Sequence, residues 1–379
     1  MNGRLKEFYT SRSMLMNIHM DLLYACDLDC AHCYLDDKKR AQVKTVDIIR
    51  TLEEAAELGA LQVLFSGGEI FLRKDVYTIL EAARRLRYHI RLKTHGGNIT
   101  EDDASRLAEL GVSLVDFSIY ALDEEVHDTF TRKPGSLKRT LRGIELLRNA
   151  GVEVALKCSV TTYNINHYRE LFEHFEALGV ELTFNGRIRG TNTIQTTTYP
   201  LNVPYEEKVN MEMYRYGQAG GPAPHMPAPA PEKSHFCSAG RTMAYVSPDL
   251  QVYPCVSFPK AVGDLKETSF REIWTGESEL DRVRSTTRAD LKICDTCAAR
   301  SHCSYCPGAA YIESGGDPDT PPEVVCRQSF AKLEAHERYL AGERTRPHPS
   351  VPAPRVAFKI LNNQPTGVAP TVTGVGCAH

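Results

Sequence analysis

Two hydrophobic periods alternate along the first half of this chain. Short apolar runs at Ile18 to Tyr24, Leu61 to Phe65, Ile90 to Thr94, Ser113 to Ile119, Val154 to Val160 and Glu181 to Phe184 have the length and composition of buried strands. Between them the spacing changes to three and four: Val76, Ile79, Leu80, Ala83 and Leu86 share one helical face, as do Leu171, Phe172, Phe175 and Leu178. Thr100, with Asp103 three residues on, predicts a helix N-cap. Four of the predicted helices end at a glycine, Gly59, Gly111, Gly151 and Gly179, which suits the left-handed residue that closes a helix.

Six strands alternating with helices predict a parallel sheet with right-handed crossovers. Six units are too few to close an eight-fold barrel, so the expected fold is a partial (β/α)6 TIM-like barrel. Ligands in such folds gather at the carboxyl ends of the strands. The chemically interesting residues follow that rule. A loop with Cys26, Cys30 and Cys33 follows strand one, Ser66, Gly67, Gly68 and Glu69 follow strand two, and His95, Gly96 and Gly97 follow strand three; Ser118 and Tyr120 end strand four, Lys157 lies in strand five, and Asn185 and Arg187 end strand six.

The pattern breaks after residue 187. Gly220 to Pro231 is too rich in proline for a helix or an interior strand, so 191–236 reads as a proline- and glycine-rich linker. A second, cysteine-rich domain is expected over 237–342, with a hairpin of Thr242 to Val246 and Gln251 to Tyr253 about a turn at Ser247 to Leu250, and a helix from about Ser329 to Ala341. Residues 1–14 read as an N-terminal extension and 15–190 as the core. The tail 343–379 has the composition of a disordered segment, and its Cys377 of an incidental thiol.

Composition narrows the classes. The chain is 42% apolar and 25% charged with net charge -3, which offers no basic excess for nucleic acid. Polar residues Asn17, His19 and Asp21 interrupt the first apolar stretch, so no signal peptide is expected, and no run approaches a membrane span. The expectation is a cytoplasmic protein with no membrane partner. In that compartment twelve cysteines point to metal rather than disulfides.

Three thiolates on one short loop are one ligand short of filling a four-iron cluster, which leaves one iron open to a substrate or cofactor. A structural zinc site would instead close with a fourth protein ligand. The spacing of Cys26, Cys30 and Cys33, with His32 just before the last cysteine, together with Gly67, Gly68 and Glu69 one strand later, resembles the radical S-adenosylmethionine (SAM) superfamily over most of residues 15–187. The resemblance implies a [4Fe-4S] cluster on those cysteines and SAM on the open iron. Glu69 would meet the methionine ammonium where Gly67 and Gly68 permit close approach, Ser118 would lie near the ribose, and Lys157 near the polar end. Thr131 and Arg132 fall at and beside the place of an arginine in many relatives, so no contact is assigned there. Cys158 reads as a buried strand residue.

Cys294, Cys297, Cys303 and Cys306, preceded by Cys237 and Cys255 and followed by Cys326, resemble the SPASM domain, an auxiliary-cluster module of peptide-modifying radical SAM enzymes. Zinc is the competing reading of paired Cys-x2-Cys knuckles. The family pattern implies one [4Fe-4S] cluster on Cys294, Cys297, Cys303 and Cys326, and another on Cys237, Cys255 and Cys306. The second lacks an evident fourth ligand; His235, water, Cys377 and the substrate are candidates. Two departures stand out: the last cysteine gap is two residues instead of three, and Leu250 replaces a usual glycine. The resemblance leans toward a maturase that crosslinks a ribosomally made precursor peptide, supplied with electrons by flavodoxin or ferredoxin. Val256, where sulfatase-maturing relatives carry an aspartate, counts against that class. Only 25 residues precede Cys26, so a leader-binding domain is expected to be absent, and a separate leader-binding protein or a leaderless substrate would compensate. An enzyme for a small molecule or tetrapyrrole and a non-catalytic electron carrier are the alternatives.

Overall fold

The computed structural model describes residues 3–38, 43–218, 234–276 and 279–345. Six parallel strands, β1 (Asn17–Asp21), β2 (Gln62–Ser66), β3 (His89–Thr94), β4 (Leu114–Ser118), β5 (Val154–Ser159) and β6 (Glu181–Asn185), pair in sequential order. Each crossover carries helix, and the outward strand residues Val63, Phe65, Ile90, Leu92, Val115 and Phe117 are buried in one core with Val76, Ile79, Leu80 and Ala83. β6 does not return to β1, so the barrel stays open, as the count of six units predicted. Gly59, Gly111, Gly151 and Gly179 all adopt positive φ after their helices, and Thr100 and Asp103 form a reciprocal capping box.

The open edge is used by the second half of the chain. β7 (Met243–Val246) lies parallel to β1, and β8 (Gln251–Tyr253) and β9 (Gly263–Asp264) continue antiparallel, giving one nine-stranded sheet. The expected hairpin is therefore present, and the cysteine-rich region extends the barrel's own sheet through it. Leu250 in its turn has φ 67° and is buried, so a side chain occupies the left-handed position where a glycine would be free of strain.

Two further elements depart from expectation. The region read as linker contains helix Tyr205–Gln218, and the helix expected from Ser329 begins earlier, spanning Glu323–Leu340 after Pro322. The two pack through Val209, Met213, Ala331 and Ala335, with Arg338 paired to Glu206 at 2.7 Å. A helix also spans Gly3–Arg12, within the N-terminal extension. The proline-rich stretch 220–231 and the tail with Cys377 lie outside the described residues. Among the described residues no helix is long and apolar enough to cross a membrane.

Candidate functional site

The cysteine loop leaves β1 and is held in place by backbone bonds. Asp29 and Ala31 donate to the carbonyls of Thr131 and Phe130 at 3.1 and 3.0 Å, and Cys33 donates to Cys30 at 3.0 Å. Lys38 closes the loop from outside on the Leu28 carbonyl, 2.7 Å. Burial raises the Cys30 thiol to about 12, and the neighbouring Cys33 and Cys26 charges push it the same way. Three thiols are thus crowded where each thiolate repels the next. That donor set fits a cation-rich cluster, whose iron would bind and neutralise the thiolates.

His32 packs against the touching pair Tyr120 and Phe130, with ring centroids 5.3 and 5.0 Å away. Burial, with the charges of Lys93 and Arg189, lowers its pKa to about 4, so the imidazole is neutral.

Beyond β1 and β2 the two loops are laced together. Gly68 donates to the Leu23 carbonyl at 2.8 Å and Glu69 to that of Ala25 at 2.9 Å. A Cβ on Gly68 would overlap the Ala25 carbonyl, so this glycine serves the approach of two backbones. Glu69 is fully buried. Its carboxylate accepts from the Thr94 hydroxyl at 2.7 Å, from the His95 N–H at 3.1 Å and from the Phe71 N–H at 3.1 Å.

His95 completes a part of the site that sequence reasoning left as a loop residue. Its Nε2 lies 2.9 Å from Asp27 and 3.1 Å from Glu69. Burial alone would discharge the ring, but Glu69, Asp27 and Cys26 outweigh it and raise the pKa to about 10. The ligand atoms of Cys26, Asp27 and His95 all lie within 4.8 Å of one another. The available signal was position, a histidine at the carboxyl end of β3, with nothing to name its partners.

Strand register assigns the lumen. Asp21, Lys93, Asp116, Ser118 and Lys157 face inward, and Tyr245 arrives there from β7. Asp21 accepts from Tyr245 at 2.8 Å and Tyr34 at 3.0 Å, and His19 sits 3.2 Å away. Asp116 pairs with Arg91 at 2.7 Å and with Lys157 at 3.5 Å, and Lys157 also donates to Thr183 at 3.2 Å. Lys157 is therefore an ion-paired lumen residue. Lys93, whose pKa is lowered by burial against the pull of Asp116 and Asp21, forms no ion pair with a described carboxylate. Ser118 and the Cys30 thiol both act on the phenol of Tyr120, whose pKa burial raises well above the ordinary value. Arg132 clamps Asp29 at 2.8 Å, Thr131 and His127 bond Ser136, and Cys158 is buried beside Asn164.

The C-terminal cysteines fall into two places. Cys294, Cys297, Cys303 and Cys326 line one cavity of about 520 Å³ whose remaining wall is largely apolar, including Phe236, Leu291 and Phe330. Cys255 is raised to about 12 by burial, then by Cys306 and Cys237, which marks those three as neighbours. His235 is engaged at 3.3 Å from the Thr286 carbonyl. Both donor sets suit thiophilic clusters. A second cavity, also about 520 Å³, opens between the core and the hairpin, lined by Tyr24, Asp36, Thr193, Tyr245, Tyr253 and Val256 among others.

Comparison with known proteins agrees with this geometry. Residues 20–178 match the family model described as "Radical SAM superfamily", and 237–298 that of an "Iron-sulfur cluster-binding domain", SPASM. The chain is 26% identical to the AdoMet-dependent heme synthase of Oleidesulfovibrio alaskensis, over 85% of this chain and 89% of that protein. It is equally 26% identical to the mycofactocin maturase MftC of Mycolicibacterium smegmatis, over 91% of each. In fold it is similar to Streptococcus suis SuiB bound to its precursor peptide SuiA, with TM-score 0.67 at 17% identity over 85% of this chain and 78% of that one.

Proposed function

The chain is a radical SAM enzyme with a C-terminal SPASM iron-sulfur domain, and from that premise we propose that it matures a ribosomally made precursor peptide, forming a thioether or carbon–carbon crosslink or a related modification. Cys26, Cys30 and Cys33 would hold the cluster that, with SAM, supplies a 5'-deoxyadenosyl radical able to take hydrogen from a substrate. Glu69 would receive the SAM ammonium, held ready by Thr94 and the His95 N–H. His32, Tyr120 and Phe130 shield that loop from water, and Ser118 faces the same mouth. Two auxiliary clusters belong to the cysteine sets of the second domain, with a flavodoxin- or ferredoxin-type reductant as electron source.

The observation that carries the peptide reading is the cavity between core and hairpin. It is lined by tyrosines and polar side chains together with Leu35, Phe258 and Pro259, and Tyr245 connects it directly to Asp21 in the lumen. An extended chain entering there would present a residue to the barrel mouth. The match to the mycofactocin maturase MftC along nearly the whole chain supports a maturase, and SuiB, similar in fold, is bound to a precursor peptide.

A second reading rests on the lumen and on the similarity to heme synthases: Lys93, buried in the lumen within the field of Asp116 and Asp21 and in no ion pair with a described carboxylate, could receive an acidic group of a tetrapyrrole. One experiment separates the two. The enzyme is co-expressed anaerobically with candidate short peptides sought by sequencing around its gene, and each peptide is weighed. Loss of two hydrogens is expected for a crosslink; an unmodified peptide, with SAM turnover stimulated only by a carboxylated tetrapyrrole, would transfer the assignment to the second reading.

A further inference from the structure

Arg189, just beyond β6, touches both iron-binding regions. Its Nη1 donates to the Val256 carbonyl at 2.5 Å, next to Cys255, and lies 3.5 Å from the Ser257 hydroxyl. Nη2 donates to Asn192 at 2.6 Å, and the guanidinium lies 4.0 Å from the ring centroid of Tyr34, next to Cys33. The Asn192 N–H in turn bonds the Tyr34 carbonyl at 3.1 Å, and Thr198 ties down the Arg189 carbonyl at 2.6 Å. The fork of Arg189 is thus fixed on three sides, between the loop of Cys33 and the loop of Cys255.

We propose that Arg189 is a positioning and charge-setting residue for the cluster of Cys237, Cys255 and Cys306. It locks the Cys255 backbone to the barrel, and its charge makes that cluster easier to reduce than the one held by Cys294, Cys297, Cys303 and Cys326. One-electron reduction adds one negative charge to a cluster, and a fixed cation nearby stabilises the added charge. The two surroundings differ in the required direction. Arg189 acts on Cys255 and Arg241 on Cys237, beside three thiolates. The other set has four thiolates, with Asp295 near Cys294 and Glu313 near Cys326, against Arg288 and Arg300, and Arg300 is itself paired with Asp295 at 3.4 Å, so the two added charges of each sign offset and four thiolates remain against three. Net charge around a cluster is one of the main determinants of its potential. The inference rests on the auxiliary clusters and is independent of which substrate is used.

The test is an EPR-monitored redox titration of the reconstituted full-length enzyme with dithionite, without substrate. A Cys294→Ala, Cys297→Ala variant assigns the signals. Arg189→Gln should weaken the hold of the Cys237 set on its electron by about tenfold, which is ~59 mV downward for a one-electron couple, and leave the other auxiliary cluster unmoved. Arg189→Lys should recover most of the shift. Equal shifts in both clusters, or none at full iron content, would overturn the proposal. If Arg189→Gln does not retain its iron, Ser257→Asp takes its place, setting a carboxylate beside the guanidinium without removing it. The same downward shift is expected, and an unchanged potential overturns the proposal equally.

Discussion

Glu69→Gln tests whether this buried carboxylate is the ammonium receptor. The change preserves shape and removes one charge. In the native site one oxygen accepts the Phe71 N–H and the other the His95 N–H, both at 3.1 Å, while the Thr94 hydroxyl is 2.7 Å from each. An amide must therefore set its NH2 against a backbone N–H in either orientation. More important for binding, the ammonium loses a charge-assisted bond in a site sealed from water. Such bonds contribute about 1.5–3 kcal/mol, so SAM affinity should fall roughly 10- to 150-fold. Thr94→Val is the control. It deletes one neutral donor and keeps the charge, at a cost of about 1 kcal/mol, roughly fivefold in affinity. The assay is anaerobic titration calorimetry of SAM on reconstituted protein, with iron counted in each variant. Glu69→Gln binding SAM within twofold of the native enzyme at full iron content would refute the assignment.

Three more outcomes are expected. Gly68→Ala should force the Ala25 and Gly68 backbones apart, because its Cβ would overlap the Ala25 carbonyl; the protein should then purify with about four fewer irons, and full iron loading would contradict the lacing described here. Cys237→Ala and Cys294→Ala should each lose a different auxiliary EPR signal, from a native total of about twelve irons; a native total of only about four would end the auxiliary-cluster reading. At Leu250, burial and left-handed strain oppose each other: Leu250→Ala loses about 2–5 kcal/mol of packing and keeps the strain, whereas Leu250→Gly also relieves about 1 kcal/mol. Calorimetry should therefore rank Tm as native, then Leu250→Gly, then Leu250→Ala, and the reverse order of the two variants would dismiss strain at this turn.

Much of the barrel was legible because its signals are local. A strand buried by helices on its outer face needs apolar residues such as Val63 and Phe65, and a helix that ends against a turn needs Gly59 or Gly111. The cysteine loop and Glu69 stood out for a related reason: a candidate ligand set supplied by consecutive turns leaves its spacing in the chain. Asp27, Thr94 and His95 did not, since each is an ordinary polar residue until the fold brings it to Glu69 or Cys26. Helix Tyr205–Gln218 was obscured because its apolar stripe is broken by the buried polar residues Lys208, Asn210 and Glu212.

By itself, the sequence determined which groups this protein carries: thiolates in sets of three and of seven, a carboxylate after two glycines, and six strand–helix units to mount them. Only the tertiary structure decided their company. Pairing of β7 with β1 is a contact between residues more than two hundred positions apart, fixed by the free backbone edge that an incomplete barrel leaves exposed. That pairing sends Tyr245 into the lumen, and the chain beyond β6 sets Arg189 between Tyr34 and Val256. Such relations depend on edges, burial and charge balance, which no spacing along the chain records.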